Sequence, residues 1–124
     1  MAAQRVLVAE DDPDIGLLID FKLAQAGLDV ITVADGAVVL DRARATEPDL
    51  FLLDVHLPGR SGLELCADLR QDPITRDKPI MLLSGGAHQW EIDEGLAAGA
   101  NEYLVKPFSP AKLLEHVQNL LSAP

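Results

Sequence analysis

Short apolar segments alternate with amphipathic segments along the chain, and glycine, proline or acidic residues separate them. The apolar runs are typical of strands that are buried on both faces of a sheet. They cover residues 5–9, 29–34, 49–54, 80–83 and 102–105. The run that ends at Asp54 is closed by Pro58, Gly59 and Gly62, and it predicts the central strand.

Between these runs, apolar residues recur at the spacing of amphipathic helices. Asp12 before Pro13 and Ser109 before Pro110 indicate helix starts, because each pair suits an N-cap and a first helical turn. A fourth helix is predicted over 88–98, with an apolar face diluted by acids and a glycine. The other helices contain the apolar positions Ile15 to Ala26, Val39 to Ala43, Leu63 to Leu69 and Leu113 to Leu121.

Five strand–helix units in succession, (βα)5, predict an α/β fold. The strands form a parallel sheet, helices cover both of its faces, and the connections are right-handed. The chain has 124 residues, of which 48% are hydrophobic, so it can bury a core of its own. We therefore expect a single domain over 1–124, with a folded core of about 5–121.

The charge balance excludes several partner classes. Twenty acidic and ten basic residues give a net charge of −10, which argues against direct binding of nucleic acid or an anionic membrane by this domain. No apolar run approaches the roughly 18 residues of a membrane span, and the N-terminus does not resemble a signal peptide. The single cysteine, Cys66, cannot form an internal disulfide, so a reducing cytoplasm fits best.

Polar side chains follow four of the predicted strands at the point where each strand ends. Glu10 and Asp11 follow the first strand, Asp54 ends the third, and Ser84 and Lys106 follow the fourth and fifth. Carboxyl ends of parallel strands lie at one edge of a sheet. If the first and third strands are neighbours, three carboxylates meet there and require a cation. Oxygen ligands without a Cys or His cluster favour a hard ion such as Mg²⁺, beside a phosphoryl group.

The same residues suggest phosphoryl chemistry. An ionised Asp54 can act as a nucleophile on phosphorus. Lys106 can pair with Asp54 and then with a phosphoryl oxygen, and Ser84 offers a hydroxyl donor. The metal and Lys106 would together offset the charge that moves during transfer.

Four motifs, in this order and at this spacing, strongly resemble the receiver domain of two-component response regulators. The resemblance covers nearly the whole chain and implies a flavodoxin-like three-layer sandwich with strand order 2-1-3-4-5. The motifs are Leu-Val-Ala-Glu-Asp-Asp at 7–12, Leu-Leu-Asp-Val-His-Leu-Pro-Gly-Arg-Ser-Gly at 52–62, Leu-Leu-Ser-Gly at 82–85 and Tyr-Leu-Val-Lys-Pro-Phe at 103–108.

The resemblance also implies a role for each acid. Asp54 would be the phosphoacceptor, and its donor would be a histidine kinase or a histidine phosphotransfer protein. Asp11 and Asp54 would bind Mg²⁺, or alternatively Mn²⁺, directly, with Glu10 acting directly or through water. The backbone carbonyl of His56 would supply a further metal ligand.

A second set of residues would detect the phosphoryl group. By resemblance, Ser84 and Lys106 would hold phosphoryl oxygens, and Tyr103 would be an aromatic switch that turns inward when Ser84 moves. The peptide bond between Lys106 and Pro107 is expected to be cis. Gly85 and Gly86 depart from the family pattern, where alanine commonly follows the switch hydroxyl.

The expected function is a phosphorylation-dependent signalling switch of the bacterial type. It would alter partner binding through the face formed by helix 4, strand 5 and helix 5, which carries Trp90. The partners would be a kinase or phosphotransfer protein and an output domain or effector protein, with a phosphorylation-linked homodimer as a further expectation. The domain would not be an enzyme beyond self-phosphorylation from phosphodonors and autodephosphorylation.

Three other interpretations fit part of the pattern. A Mg²⁺-dependent phosphatase of the haloacid dehalogenase type also uses an Asp nucleophile, but it carries a second acid where this chain has His56. A flavodoxin-like binder of flavin or nucleotide would need a Ser-, Thr- and Gly-rich loop after the first strand. A degenerate receiver used only for protein contacts would not need the acidic set.

Overall fold

The computed structural model describes residues 3–86 and 88–122, and a five-stranded parallel sheet lies at the centre of this part of the chain. Its strands are β1 (Arg5–Ala9), β2 (Asp29–Val33), β3 (Leu50–Asp54), β4 (Ile80–Ser84) and β5 (Glu102–Val105). Each neighbouring pair is parallel, and the order is β2-β1-β3-β4-β5. The α/β fold and the strand order that the resemblance implied are therefore confirmed.

The first and last α-helices begin at the caps that the sequence indicated, and the third has a cap of its own. The side chain of Asp12 accepts hydrogen bonds from the first turn of the first helix, and Ser61 forms a capping box with Glu64 at the third. Ser109 accepts a hydrogen bond from the N–H of Lys112 at the last helix. In the described residues no helix has both the length and the apolar character of a membrane span. The helices are α1 (Pro13–Gln25), α2 (Val39–Thr46), α3 (Gly62–Gln71), α4 (Gln89–Ala97) and α5 (Pro110–Ser122).

Predicted and observed element ends differ by single residues. Hydrogen bonding and caps set these ends, and hydrophobic periodicity does not report them. A short 3₁₀ turn, Gly36–Val38, precedes α2, and the carboxylate of Asp35 accepts a hydrogen bond from Ala37 at its start. The corrections are that β2 ends at Val33 instead of 34, β3 begins at Leu50 instead of 49, β4 includes Ser84, and α4 is one residue shorter at each end.

The core consists of two apolar clusters, one on each face of the sheet. Leu50 and Leu52 of β3 join α1 and α5 in one cluster, whereas Phe51 and Leu53 join α2 and α3 in the other. Every residue of β3 is buried, which confirms the prediction of a strand covered on both faces. The chain leaves this fully buried strand at Asp54, so the position of that residue is fixed by the core.

The loop between β3 and α3 is held against the turn that follows β2. The N–H of Gly36 donates to the carbonyl of Pro58 at 2.9 Å, and a Cβ atom on Gly36 would overlap the backbone oxygen of Arg60. The guanidinium of Arg60 in turn pairs with Glu64 and Asp68 of α3. These contacts position the backbone that directly follows Asp54.

Gly36→Ala should destabilise the protein, because the added methyl group meets backbone that cannot rotate away. We expect the free energy of unfolding, measured with urea, to fall by about 1–3 kcal/mol. Gly16→Ala in α1 is the matched control, since a Cβ there would lie 3.8 Å from Thr32 in ordinary contact. Equal stability of the two variants would show that the contact between the two loops is loose.

Candidate functional site

Acidic side chains from two neighbouring strands converge at the carboxyl edge of the sheet. Glu10 and Asp11 follow β1, and Asp54 ends β3, which pairs directly with β1. One carboxylate oxygen from each residue lies within 4.8 Å of the other two. Glu10 and Asp54 are 2% and 4% exposed, whereas Asp11 is exposed to solvent. The structure thus brings together the three acids that the sequence singled out.

Lys106, directly after β5, reaches into this acidic cluster. Its Nζ lies 2.9 Å from Oδ2 of Asp54, to which it donates a hydrogen bond, and 2.6 Å from Oε1 of Glu10. The contact with Glu10 is an ion pair, and the buried Oε1 has no other polar partner among the described residues. The Lys106–Pro107 peptide bond is cis.

The two buried carboxyl groups differ in their affinity for a proton. Burial raises the pKa of Glu10 from 4.5 to about 7, and the adjoining carboxylate of Asp54 adds to the rise. Burial also opposes ionisation of Asp54, but the carboxyl of Glu10, the backbone N–H of His56 and Lys106 outweigh it and lower its pKa. Asp54 is therefore the more acidic member of the pair and ionises before Glu10 as the pH rises.

The charge of Lys106 is secured by the same carboxylates. Burial disfavours its ammonium form, but the contacts with Glu10 and Asp54 outweigh burial and raise the pKa of Lys106 above its usual value. An anionic Asp54 thus faces a permanent cation, which is the electrostatic arrangement that a phosphoryl-accepting carboxylate needs.

The donor set fits a divalent cation of the hard class. The side chains offer carboxylate oxygens only, and one of them, the buried Oε1 of Glu10, has no polar partner besides the ammonium of Lys106. Asp11 adds an oxygen on the solvent side of the cluster, where water ligands can complete a coordination shell. A site with a small number of protein oxygens next to open solvent suits Mg²⁺, because this ion keeps several of its water ligands.

The loop after Asp54 is attached to the site through its backbone. The N–H of His56 donates to Oδ1 of Asp54 at 3.0 Å, while its imidazole is exposed. That hydrogen bond orients one carboxylate oxygen and leaves the other to Lys106. The metal-binding role of the His56 carbonyl stays a prediction.

Ser84 and Tyr103 are joined through the glycine-rich loop that follows β4. The hydroxyl oxygen of Ser84, which is fully buried, accepts a hydrogen bond from the N–H of Gly86 at 3.0 Å. The hydroxyl of Tyr103 donates to the carbonyl of Gly86 at 3.2 Å. The sequence indicated Gly86 only as a departure from the family pattern and did not reveal this bridge, because a backbone contact leaves no signal in residue type.

Arg60 and Gly36 were also missed as supports of the site. In the sequence, Arg60 looks like an ordinary charged loop residue, and the Asp35–Gly36 pair predicts a simple turn. The available signal was the four-residue spacing of Arg60, Glu64 and Asp68, which indicates contacts along a helix but does not connect the two loops.

A family model for the "Response regulator receiver domain" matches residues 6–118. The chain belongs to the response regulator receiver family. The resemblance drawn from the four motifs is thereby confirmed, and the protein is a receiver domain of two-component signal transduction. The phosphatase interpretation finds no support in these comparisons.

Curated relatives of this receiver domain are transcriptional regulators. The alkaline phosphatase synthesis transcriptional regulatory protein PhoP of Bacillus subtilis is 37% identical over 95% of this chain and 48% of its own length. The phosphate regulon transcriptional regulatory protein PhoB of Rhizobium meliloti is 39% identical over 94% of this chain and 52% of its own. The receiver chain thus spans about half the length of these relatives.

Solved receiver structures superpose on the whole chain. A putative response regulator from Chloroflexus aurantiacus matches with a TM-score of 0.93 and 35% identity, covering 98% of this chain and 99% of that one. The receiver domain of the sensor histidine kinase PA1611 from Pseudomonas aeruginosa matches at 0.90 and 33% identity, over 98% and 100% of the two chains. That structure has a magnesium ion coordinated in its active-site cleft.

Binding of Mg²⁺ to this receiver domain should weaken as the pH falls. Protons and the ion compete for Glu10, whose pKa is raised to about 7 in the metal-free protein. Titration calorimetry should show that the affinity for Mg²⁺ is about tenfold lower near pH 6 than near pH 8. Repeating it in buffers of different ionisation enthalpy should reveal proton release near pH 6. Affinity that does not change over this range would mean that the ion leaves Glu10 protonated.

Proposed function

We propose that this receiver domain accepts a phosphoryl group on Asp54 and thereby switches its binding to a partner protein. The proposal depends above all on one observation: the ionised carboxylate of Asp54 lies 2.9 Å from Nζ of Lys106 and beside two further acids. No other described carboxylate combines burial, ionisation and a hydrogen-bonded lysine. In this proposal residues 1–124 act as one domain.

The transfer is a displacement at phosphorus. An oxygen of Asp54 forms the new P–O bond, while the P–N bond of a phosphohistidine donor, or the P–O bond of acetyl phosphate, breaks and its electron pair leaves with the donor. Lys106 would pair with an oxygen of the phosphoryl group, and Ser84 would donate its hydroxyl hydrogen to another. A Mg²⁺ ion held by Glu10, Asp11, Asp54 and the His56 carbonyl would neutralise negative charge that develops; Mn²⁺ has the same ligand preference.

The switch would act through the bridge at Gly86. If Ser84 moves toward a phosphoryl oxygen, its hydrogen bond from the N–H of Gly86 would break or pull the loop along. The carbonyl of Gly86 accepts the hydrogen bond from the hydroxyl of Tyr103. Movement of the loop is therefore transmitted to the ring on β5. Phosphorylation would bias the loop, α4 and Tyr103 toward a second arrangement, which alters the face of α4, β5 and α5.

The partners follow from the same chemistry. The donor would be a histidine kinase or histidine phosphotransfer protein, and the receiver would act on an attached output domain or a separate effector, or through a phosphorylation-linked homodimer. The named relatives are transcriptional regulators, but a net charge of −10 argues that this domain does not contact nucleic acid itself. The proposed location is the cytoplasm, where such kinases deliver phosphate.

We do not assign a turnover activity to the domain. Its chemistry would be self-phosphorylation from small donors and slow autodephosphorylation. The position two residues after Asp54, where a phosphatase of the haloacid dehalogenase type has its general acid, holds His56 with an exposed side chain.

Incubation with acetyl phosphate and Mg²⁺ should add one phosphoryl group, seen as a single mass increase that hydroxylamine reverses. Removing the ion with EDTA should slow the uptake by at least about 100-fold, because two negative reactants then approach without the divalent charge. Uptake at an unchanged rate in EDTA would contradict the metal's role. Continuous release of phosphate with many turnovers per molecule would favour a phosphatase instead.

A further inference from the structure

A small cavity lies beside α4, on the side that faces the loop after Asp54. Its volume is about 140 Å³, well below the roughly 300–1,000 Å³ of pockets for cofactors or drug-sized ligands. Val55, His56 and Leu63, from the loop after Asp54 and the start of α3, line it on one side. The space suits the end of one side chain and is too small for a whole small-molecule ligand.

The walls of the cavity combine aromatic rings with carboxylates. Trp90 and Tyr103 supply the rings, and Glu91 and Glu94 supply the acids. Glu94 lies four residues after Trp90 and three after Glu91, so its side chain shares one side of α4 with both of them. Trp90 is 65% exposed, an unusual position for a residue of its size, and its ring stacks on His88 with centroids 6.4 Å apart.

The charge around the cavity is of one sign. Lysine and arginine are absent from its lining, as far as the described residues go, and α4 contains three acids and no basic residue. Apolar walls, exposed rings and two carboxylates are the features that attract a planar organic cation. A planar guanidinium can stack flat on an aromatic ring while its N–H groups donate in the same plane to a carboxylate, whereas a tetrahedral ammonium has no flat face to stack.

We propose that this cavity binds one arginine side chain from a partner protein, with the guanidinium against Trp90 and Tyr103 and paired with Glu94. The inference rests on the proposed function in one respect, that the receiver domain regulates a protein partner. His56, which lines this cavity, donates its backbone N–H to Asp54. Tyr103, which also lines it, donates its hydroxyl to the carbonyl of Gly86 in the loop after Ser84. A bound arginine would therefore lie against residues that are hydrogen-bonded to Asp54 and to the segment expected to move.

The test uses unphosphorylated protein without metal, so its outcome is independent of whether Asp54 accepts phosphate. The probe is the blocked tripeptide acetyl-alanyl-arginyl-alanine amide, and its neutral control carries citrulline in place of arginine. Trp90 is the only tryptophan of the chain, so its fluorescence reports the cavity directly. We expect saturable binding of the arginine peptide in the range of about 1–10 mM, and at least about threefold weaker binding of the citrulline peptide.

Glu94→Gln should lower the affinity for the arginine peptide at least about threefold. Asp93→Asn, which also replaces a carboxylate by an amide on α4, should change that affinity less than about twofold. Asp93 does not line the cavity and accepts a hydrogen bond from Gln89 instead. Amide shifts of Val55 and Leu63 in a ¹⁵N spectrum should follow the fluorescence. Equal binding of the two peptides, equal effects of the two variants, or shifts that avoid Val55 and Leu63 would each overturn the proposal, and stronger binding of a lysine peptide would overturn the choice of arginine.

Discussion

Asp54→Asn is expected to abolish phosphoryl uptake by the receiver domain, with the rate from acetyl phosphate reduced by more than about a thousandfold. The amide has nearly the shape of the carboxylate but neither its charge nor its nucleophilic oxygen. The neighbouring acids cannot replace it, because Glu10 has a pKa raised to about 7 and Asp11 is exposed at the edge of the cluster. Intact-mass spectrometry after incubation with Mg²⁺ and acetyl phosphate measures the effect.

The control for Asp54→Asn is Asp41→Asn, the same chemical change at an exposed position of α2. It should take up phosphate at the wild-type rate. Both variants should unfold cooperatively on heating, since an amide at position 54 removes a repulsive charge from a crowded buried cluster. If the rate of phosphoryl uptake by Asp54→Asn approaches that of the control, the assignment of Asp54 as acceptor is refuted. A phosphorylated peptide that contains Glu10 or Asp11 would identify one of those residues as the acceptor instead.

Much of the fold could be predicted because its signals are local. The run Leu50 to Leu53 is apolar at every position, and a strand with that pattern must be covered on both faces. The helix starts at Asp12, Ser61 and Ser109 were predictable for the same reason, since an N-cap is decided within three residues. The strand order came from family resemblance, because periodicity does not say which strands are neighbours.

The contact between Gly36 and the loop at Pro58 could not be predicted from the sequence. Both partners are backbone groups more than twenty residues apart, and neither changes the hydrophobic pattern. The same limit applies to the bridge from Tyr103 to Gly86. Such contacts depend on the tertiary arrangement of loops, which single-sequence reasoning reaches only through the elements that flank them.

At the site, the positions of the acids were predictable but their protonation was not. Glu10 directly follows one strand and Asp54 ends its neighbour, and residue type alone gives them similar pKa values. In the structure the N–H of His56 and the hydrogen bond from Lys106 favour ionisation of Asp54, whereas burial dominates at Glu10. The difference in proton affinity between the proposed nucleophile, Asp54, and the proposed metal ligand, Glu10, thus depends on burial and on hydrogen-bond donors from other strands and loops.

Lys106 has two roles that a substitution can separate. In the resting protein it offsets two buried carboxylates, with Nζ 2.6 Å from Glu10 and 2.9 Å from Asp54. During transfer it would pair with an oxygen of the incoming phosphoryl group. In the resting protein the ammonium competes with a metal ion for the carboxylates, whereas during transfer it would act together with the metal on the phosphoryl group. Loss of its charge should therefore strengthen metal binding and slow phosphoryl transfer.

Lys106→Met keeps the length of the side chain and removes its charge. We expect the rate of phosphoryl uptake at saturating Mg²⁺ to fall by about 100- to 1,000-fold, because a preorganised cation is lost from the transition state. Mg²⁺ affinity, measured by calorimetry, should rise by a few fold, since a competing cation no longer occupies the carboxylates. In metal-free buffer the free energy of unfolding should drop by about 1–3 kcal/mol, as buried carboxylates lose their hydrogen-bond donor.

The matched control is Lys112→Met, which removes an exposed lysine from α5 and should leave all three quantities close to those of the unaltered protein. A variant at position 106 that binds Mg²⁺ more tightly yet accepts phosphate far more slowly cannot be explained by a damaged site, because damage would weaken both. If uptake and Mg²⁺ affinity fall together, Lys106 serves to shape the site and does not act on the phosphoryl group. If uptake is unchanged, the cation that offsets the charge of the transferred group must come from the metal alone.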